Sequence, residues 1–139
     1  MRELIEQKMG RIRECLAVVR TIQDDCLERF TKDPIYKGAL LHYLYMLADS
    51  CISLAELTIK KQGLRPPQSY HEGFDILGEN GILEQEFAYR FARIAGFRNF
   101  LAHDYEKVDP KYICEGILSR LPDIDEFLRQ IERFFKEHH

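Results

Sequence analysis

The stretch "FRNFLAHDY", residues 97–105, closes a long apolar-patterned segment and places an arginine, a histidine and a tyrosine within eight positions. Upstream, Leu83, Phe87, Phe91, Ile94 and Leu101 recur at helical spacing, and at about 100° per residue Arg98 falls in the middle of their stripe. Burying even a neutral polar group unpartnered costs on the order of 2–7 kcal/mol. An acceptor must therefore face Arg98. It is either an internal carboxylate such as Asp49 or Glu56, or a bound anion. His103 lies about 140° further round an ideal helix, so one straight helix does not aim both side chains at one point. Either the helix ends between them or two chains meet. Tyr105 continues the line of Arg98 if the helix runs on, which would give arginine, histidine and hydroxyl one shared end. No acidic residue falls between Glu86 and Asp104, whereas Arg90, Arg93 and Arg98 do, so this segment suits an anionic visitor.

Working outward, helical periodicity dominates the chain. Ile5, Ile12, Val19 and Cys26 recur every seven residues, interleaved with Met9, Leu16 and Phe30, and only Gln23 interrupts the second row. That seam predicts one helix from Arg2 to Phe30. Asp33 and Pro34 provide a cap and a first helical residue for a second long helix carrying Ala39, Tyr43, Leu47, Ser50, Leu54 and Leu57, with Gly63 as a left-handed stop. Ser69 and Glu72 have capping-box spacing ahead of a short helix closed by Gly78 to Gly81. A third long helix is expected from near Ile82, and Asp109–Pro110 and Pro122 open further helical segments. No strand-like alternation appears. The expected fold is all-α, an up-and-down helical bundle with additional short helices, forming a single domain over residues 1–139.

The 139 residues are 45% hydrophobic and 31% charged, enough to bury a core, and the net charge of −3 argues against a general nucleic-acid coat. No stretch has the length of a membrane span or a signal sequence, so a cytoplasmic protein without membrane attachment is expected. Cys15, Cys26, Cys51 and Cys114 are scattered through apolar patterns as small hydrophobes, and neither zinc nor a disulfide is indicated. His42, His71 and His103 show no paired metal-ligand spacing, and His138 and His139 read as a solvated tail. No metal or cofactor is expected. On the second helix, His42, Asp49 and Glu56 form a polar line, either a solvated or interface face or, through Asp49, a support for Arg98.

"RNFLAHDY" resembles the R-x-x-x-x-H-x-Y signature of HepT-like toxins, within the HEPN superfamily of helical ribonucleases. The layout of "LRPPQSYHEGFDILGENGIL" before it and "VDPKYICEGILSRLPDIDEFL" after it is similar to that family over nearly the whole chain. The resemblance implies a bundle of HEPN type and a homodimer in which two motifs meet in a cleft. It also implies a metal-independent endoribonuclease in which the RNA 2′-hydroxyl attacks the adjacent phosphate, His103 moves protons, Arg98 stabilises phosphate charge and Asn99 supports the phosphate region. It further implies a partner, an MntA-like nucleotidyltransferase antitoxin that attaches AMP to Tyr105. An alternative from another class is a non-catalytic HEPN helical partner, or a nucleotide-binding subunit of a minimal nucleotidyltransferase.

Overall fold

The structure, a computed structural model, describes residues 2–138; among them there are only helices, turns and connecting segments. The elements are α1 (Arg2–Ile22), α2 (Cys26–Lys32), α3 (Pro34–Lys61), α4 (Tyr70–Glu79), α5 (Gln85–Phe91), α6 (Arg93–His103) and α7 (Leu121–Glu137). A 3₁₀ turn at Tyr105–Lys107, a π-helical turn at Tyr112–Ile117 and a second 3₁₀ turn at Leu118–Arg120 connect α6 to α7.

The long α3 is the spine. Asp33 accepts hydrogen bonds from the Ile35 and Tyr36 amides, Pro34 follows it, and Gly63 at φ 67° ends the helix as expected. Packed on several sides, α3 buries Leu40, Leu41, Leu44, Leu47, Cys51 and Leu54. It is long and apolar enough to cross a membrane, but 56% of its most apolar window is buried inside the fold, as a core helix requires. α7 runs antiparallel to α1, because Arg13 pairs with Glu132 at 3.0 Å while Arg20, further along α1, pairs with Asp125, earlier on α7.

Three sequence expectations need correction. The predicted helix from Arg2 to Phe30 is broken at residues 23–25, where Asp25 adopts a left-handed conformation (φ 57°) that Asp tolerates better than most residues. The heptad seam nevertheless survives the break, since Cys26 and Phe30 remain buried. The third long helix starts at Gln85 and is divided at Ala92, with Ile82 and Leu83 buried in the preceding turn instead. Finally, Cys26 and Cys114 form a disulfide across a sequence separation of 88. Packing of α2 near the π-helical turn brings their Cα atoms to 5.6 Å, a proximity that local spacing does not reveal. Cys15 and Cys51 are free and buried, as expected.

The smaller signals divide between agreement and departure. Ser69 caps α4 by accepting from the Glu72 amide at 3.1 Å, while the Glu72 carboxylate reaches back one residue beyond the cap, to the Gln68 amide at 2.8 Å. Asp109 accepts from the Lys111 amide, and Pro122 occupies the second, not the first, position of α7. His138 stacks on Phe134 with centroids 4.2 Å apart, whereas His139 lies outside the described residues.

The segment leading into α5 is pinned by the buried Gln130 of α7. Its Oε1 accepts from the Glu84 amide at 2.8 Å and its Nε2 donates to Glu126 at 2.7 Å. Gln130→Leu removes both contacts and is expected to lower unfolding stability by about 0.5–1.5 kcal/mol, read as an earlier urea midpoint at unchanged slope. A wild-type midpoint in the variant would show that the contact contributes nothing.

Candidate functional site

The sequence motif lies along α6 and the turn after it. Arg98 is held from three sides. Its Nε donates to Asp49 Oδ1 at 3.2 Å, and its guanidinium sits between the rings of Tyr45 (5.2 Å to the centroid) and Tyr70 (5.1 Å). Tyr45 and Asp49 are one helical turn apart on α3, and Tyr70 opens α4 immediately after its Ser69 cap, so three helices fix one cation. Of the two acceptors considered from the sequence, Asp49 is the one that pairs. Burial pulls the guanidinium's pKa down, but the Asp49 hydrogen bond, aided by Tyr45 and Tyr70, more than restores it, so the group is a permanent cation. Glu56, further along the same polar line, is pushed above its ordinary value by burial and by Asp49.

The clamp leaves the outer edge of the guanidinium available. Nη1 donates to Asn99 Oδ1 at 3.4 Å, and Nη2 has no hydrogen-bond partner among the described residues. A planar fork fixed by two rings and a carboxylate, with donors uncommitted, is suited to phosphate oxygens. The Arg98 side chain is 19% exposed and that of Asp49 44% exposed, so the site opens to solvent.

His103 is the last residue of α6 and is exposed, and its side chain makes no hydrogen bond to any described residue. Arg98 and His103 remain on one helix, so a single chain does not converge them. Tyr105 departs further from expectation. The helix stops before it, and its hydroxyl lies beside Gly38 of α3, 3.9 Å from where a Cβ there would sit. Gly38 and Asp49 are eleven residues apart on α3, which is about 16 Å of helix at 1.5 Å per residue. Tyr105 therefore does not sit beside Arg98 within one chain.

Tyr45 and Tyr70 were missed in the sequence. The available signal was the i, i+4 spacing of Tyr45 and Asp49, combined with a tyrosine directly after a helix cap. Among the described residues, no group of three or more His, Cys, Asp or Glu side chains could hold a metal ion.

Comparison with known proteins adds to this geometry. The mRNA nuclease HepT of Shewanella oneidensis is 24% identical over 132 residues, spanning 95% of this chain and 98% of that protein. The tRNA nuclease HepT of Aphanizomenon flos-aquae is 29% identical over 113 residues, 80% of this chain and 73% of that one. Among solved structures, the tri-AMPylated Shewanella oneidensis HEPN toxin in complex with MNT antitoxin superposes with a TM-score of 0.84 at 23% identity, covering 96% of this chain and 99% of that one. YutE of Bacillus subtilis, a cytosolic protein of unknown function, superposes at 0.82 with 19% identity, over 98% and 91% of the two chains. These superpositions establish a shared all-α fold. The profile of the family described as ribonuclease HepT-like matches residues 5–131, a span that includes the Arg98 clamp, His103 and Tyr105, and the chain belongs to that family.

Proposed function

We propose that this protein is the toxin of a toxin–antitoxin pair, an endoribonuclease that needs no metal and is neutralised by an MntA-like nucleotidyltransferase that AMPylates Tyr105. The observation that carries this reading is the Arg98 clamp: a fixed guanidinium with uncommitted donors, on the helix that ends in an exposed histidine. The reaction follows from those two groups. The 2′-oxygen attacks phosphorus, the bond to the 5′-oxygen breaks, and the products end in a 2′,3′-cyclic phosphate and a 5′-hydroxyl. His103 removes the proton from the 2′-hydroxyl or delivers one to the leaving oxygen, and Arg98 binds the charge that accumulates on phosphate, supported by Asn99. Asp49 holds Arg98 in position.

The 140° between Arg98 and His103 supports a homodimer in which the two motifs complete each other. The apolar side chains of α5 and α6 offer little further support. Phe87, Phe91, Phe97 and Leu101 are buried within one chain, leaving Ile94 and Phe100 half-buried.

The test is RNA cleavage by purified protein with and without EDTA, followed by end analysis. Cleavage unaffected by the chelator and yielding cyclic phosphate is the expected result. Arrest by EDTA, or 5′-phosphate ends, would refute the mechanism. A stable complex with the antitoxin, in a protein that cuts no RNA, would favour the non-catalytic partner instead.

A further inference from the structure

A groove of about 260 Å³ runs between α3, α5, α6, the π-helical turn and α7, with an apolar floor of Leu44, Leu47, Phe91, Ile94, Phe97 and Ile124. Tyr112, 42% exposed, forms one wall and packs edge-on with Phe97 (6.2 Å) and Phe100 (6.3 Å) of α6. Three arginines line the groove, Arg90, Arg93 and Arg120, against one carboxylate, Asp123, which already pairs with Arg90 at 3.5 Å. Arg93 and Arg120 are exposed and have no ion-pair or hydrogen-bond partner among the described residues. In a chain of net charge −3 this is a local excess of positive charge around a nonpolar slot.

We propose that the groove binds one unpaired nucleotide of the RNA substrate, next to the nucleotide being cut, with its base against Tyr112 and its phosphates on Arg93 and Arg120. The inference rests on the ribonuclease reading above. An occupant must bring a small apolar body attached to at least two negative charges, and a nucleotide joined to its neighbours has that form. Aromatic side chains beside a cationic rim are the general means of holding single-stranded nucleic acid. A base in a duplex has its faces covered and could not enter. A second copy of this chain is disfavoured, because a two-fold contact at this groove would set one net-positive surface against another. Phe100, which contacts Tyr112, lies next to Asn99 on α6, so groove and motif share that helix. Arg93 and Phe97 point away from Arg98 by about 140° and 100° around α6, which makes the groove a flanking subsite.

The test uses a fluorescent single-stranded oligoribonucleotide, 2′-O-methylated throughout so that it cannot be cleaved, titrated by anisotropy across a salt series. The variants are Arg93→Gln with Arg120→Gln, and Tyr112→Leu, each checked for helicity. The double variant should bind at least tenfold more weakly, and its plot of log K against log salt should be shallower by about 1.4, the value for two lost phosphate contacts on a single strand. Tyr112→Leu should weaken binding with the slope retained. With cleavable RNA, the loss should fall on KM. Wild-type affinity and slope in the double variant would overturn the subsite, as would a wild type that binds no RNA or binds duplex equally well. A sedimentation mass that falls in the variants would identify the groove as a contact between copies, and loss of antitoxin binding alone would identify it as a protein-docking face; either overturns the proposal. Failure of the ribonuclease reading looks different. Wild type would then bind the methylated strand through Arg93 and Arg120 yet cut no RNA, which retains the groove and rejects catalysis.

Discussion

His103→Ala is expected to cut RNA at least ~10²-fold more slowly than wild type, since positioned proton transfer typically contributes 10² to 10⁴ in rate. Folding should be untouched, because the His103 side chain is exposed and makes no hydrogen bond to a described residue. Arg98→Ala should cause a loss of similar size, the range observed when one donor to a developing oxyanion is removed being about 10²–10³. It also frees Asp49 and leaves Tyr45 and Tyr70 facing a gap, so its effect on stability needs a control. Arg98→Lys provides one, keeping a cation for Asp49 while losing the planar fork. If positioning by the fork matters, the lysine variant folds like wild type and remains slow. Mixing the two inactive proteins then tests the shared site. When Arg98 of one chain works with His103 of the other, a mixed dimer carries one intact combination and regains activity on mixing. Should each chain act alone, the mixture stays dead. Activity in either single variant close to that of wild type would remove these residues from the chemistry.

What was legible in the sequence follows the range of the forces involved. Asp33–Pro34, Gly63 and Ser69 declared their helix ends because capping depends on residues two to six positions away. The polar intrusion at Arg98 was visible for the same reason: a helical stripe is a local pattern. Its resolution was not local. Asp49 is separated from Arg98 by 49 residues, and the choice between Asp49 and Glu56 turned on how far α6 slides along α3. The break at residues 23–25 left the hydrophobic period intact, so periodicity alone could not show it; Gln23 in the second row was the sole trace. Cys26 and Cys114 illustrate the limit. Each fits its own apolar pattern, and only the fold places them together.

Tyr105 was placed wrongly for an instructive reason. Extending α6 by two residues carries it onto the line of Arg98, but the helix ends at His103, and the following turn carries the hydroxyl to Gly38. That position is about 16 Å along α3 from the Asp49 anchor, which weakens any direct role for the hydroxyl at the Arg98 fork within one chain. It suits a modification site instead, because the residue is 43% exposed and accessible to a second protein.

Tyr105→Phe is accordingly expected to retain ribonuclease activity and to escape neutralisation. The substitution keeps the ring and removes only the hydroxyl oxygen, the atom that lies beside Gly38 and can receive AMP. In the modification, that oxygen attacks the α-phosphorus of ATP, pyrophosphate leaves, and a negatively charged phosphodiester carrying a nucleoside is left two residues from His103. Inhibition then has two physical sources: the added nucleoside crowds the space beside His103, and the added negative charge repels the phosphates of an approaching RNA strand. Wild type and Tyr105→Phe are each incubated with ATP, magnesium and the antitoxin, then analysed by intact mass and by RNA cleavage. Wild type should gain the mass of AMP and lose cleavage by on the order of 10²-fold, matching loss of the histidine's contribution, while Tyr105→Phe gains no mass and stays active. A Tyr105→Phe protein that is slow before any antitoxin is added would make the hydroxyl part of catalysis. AMP found on another residue, or a wild type fully active once modified at Tyr105, would overturn the switch.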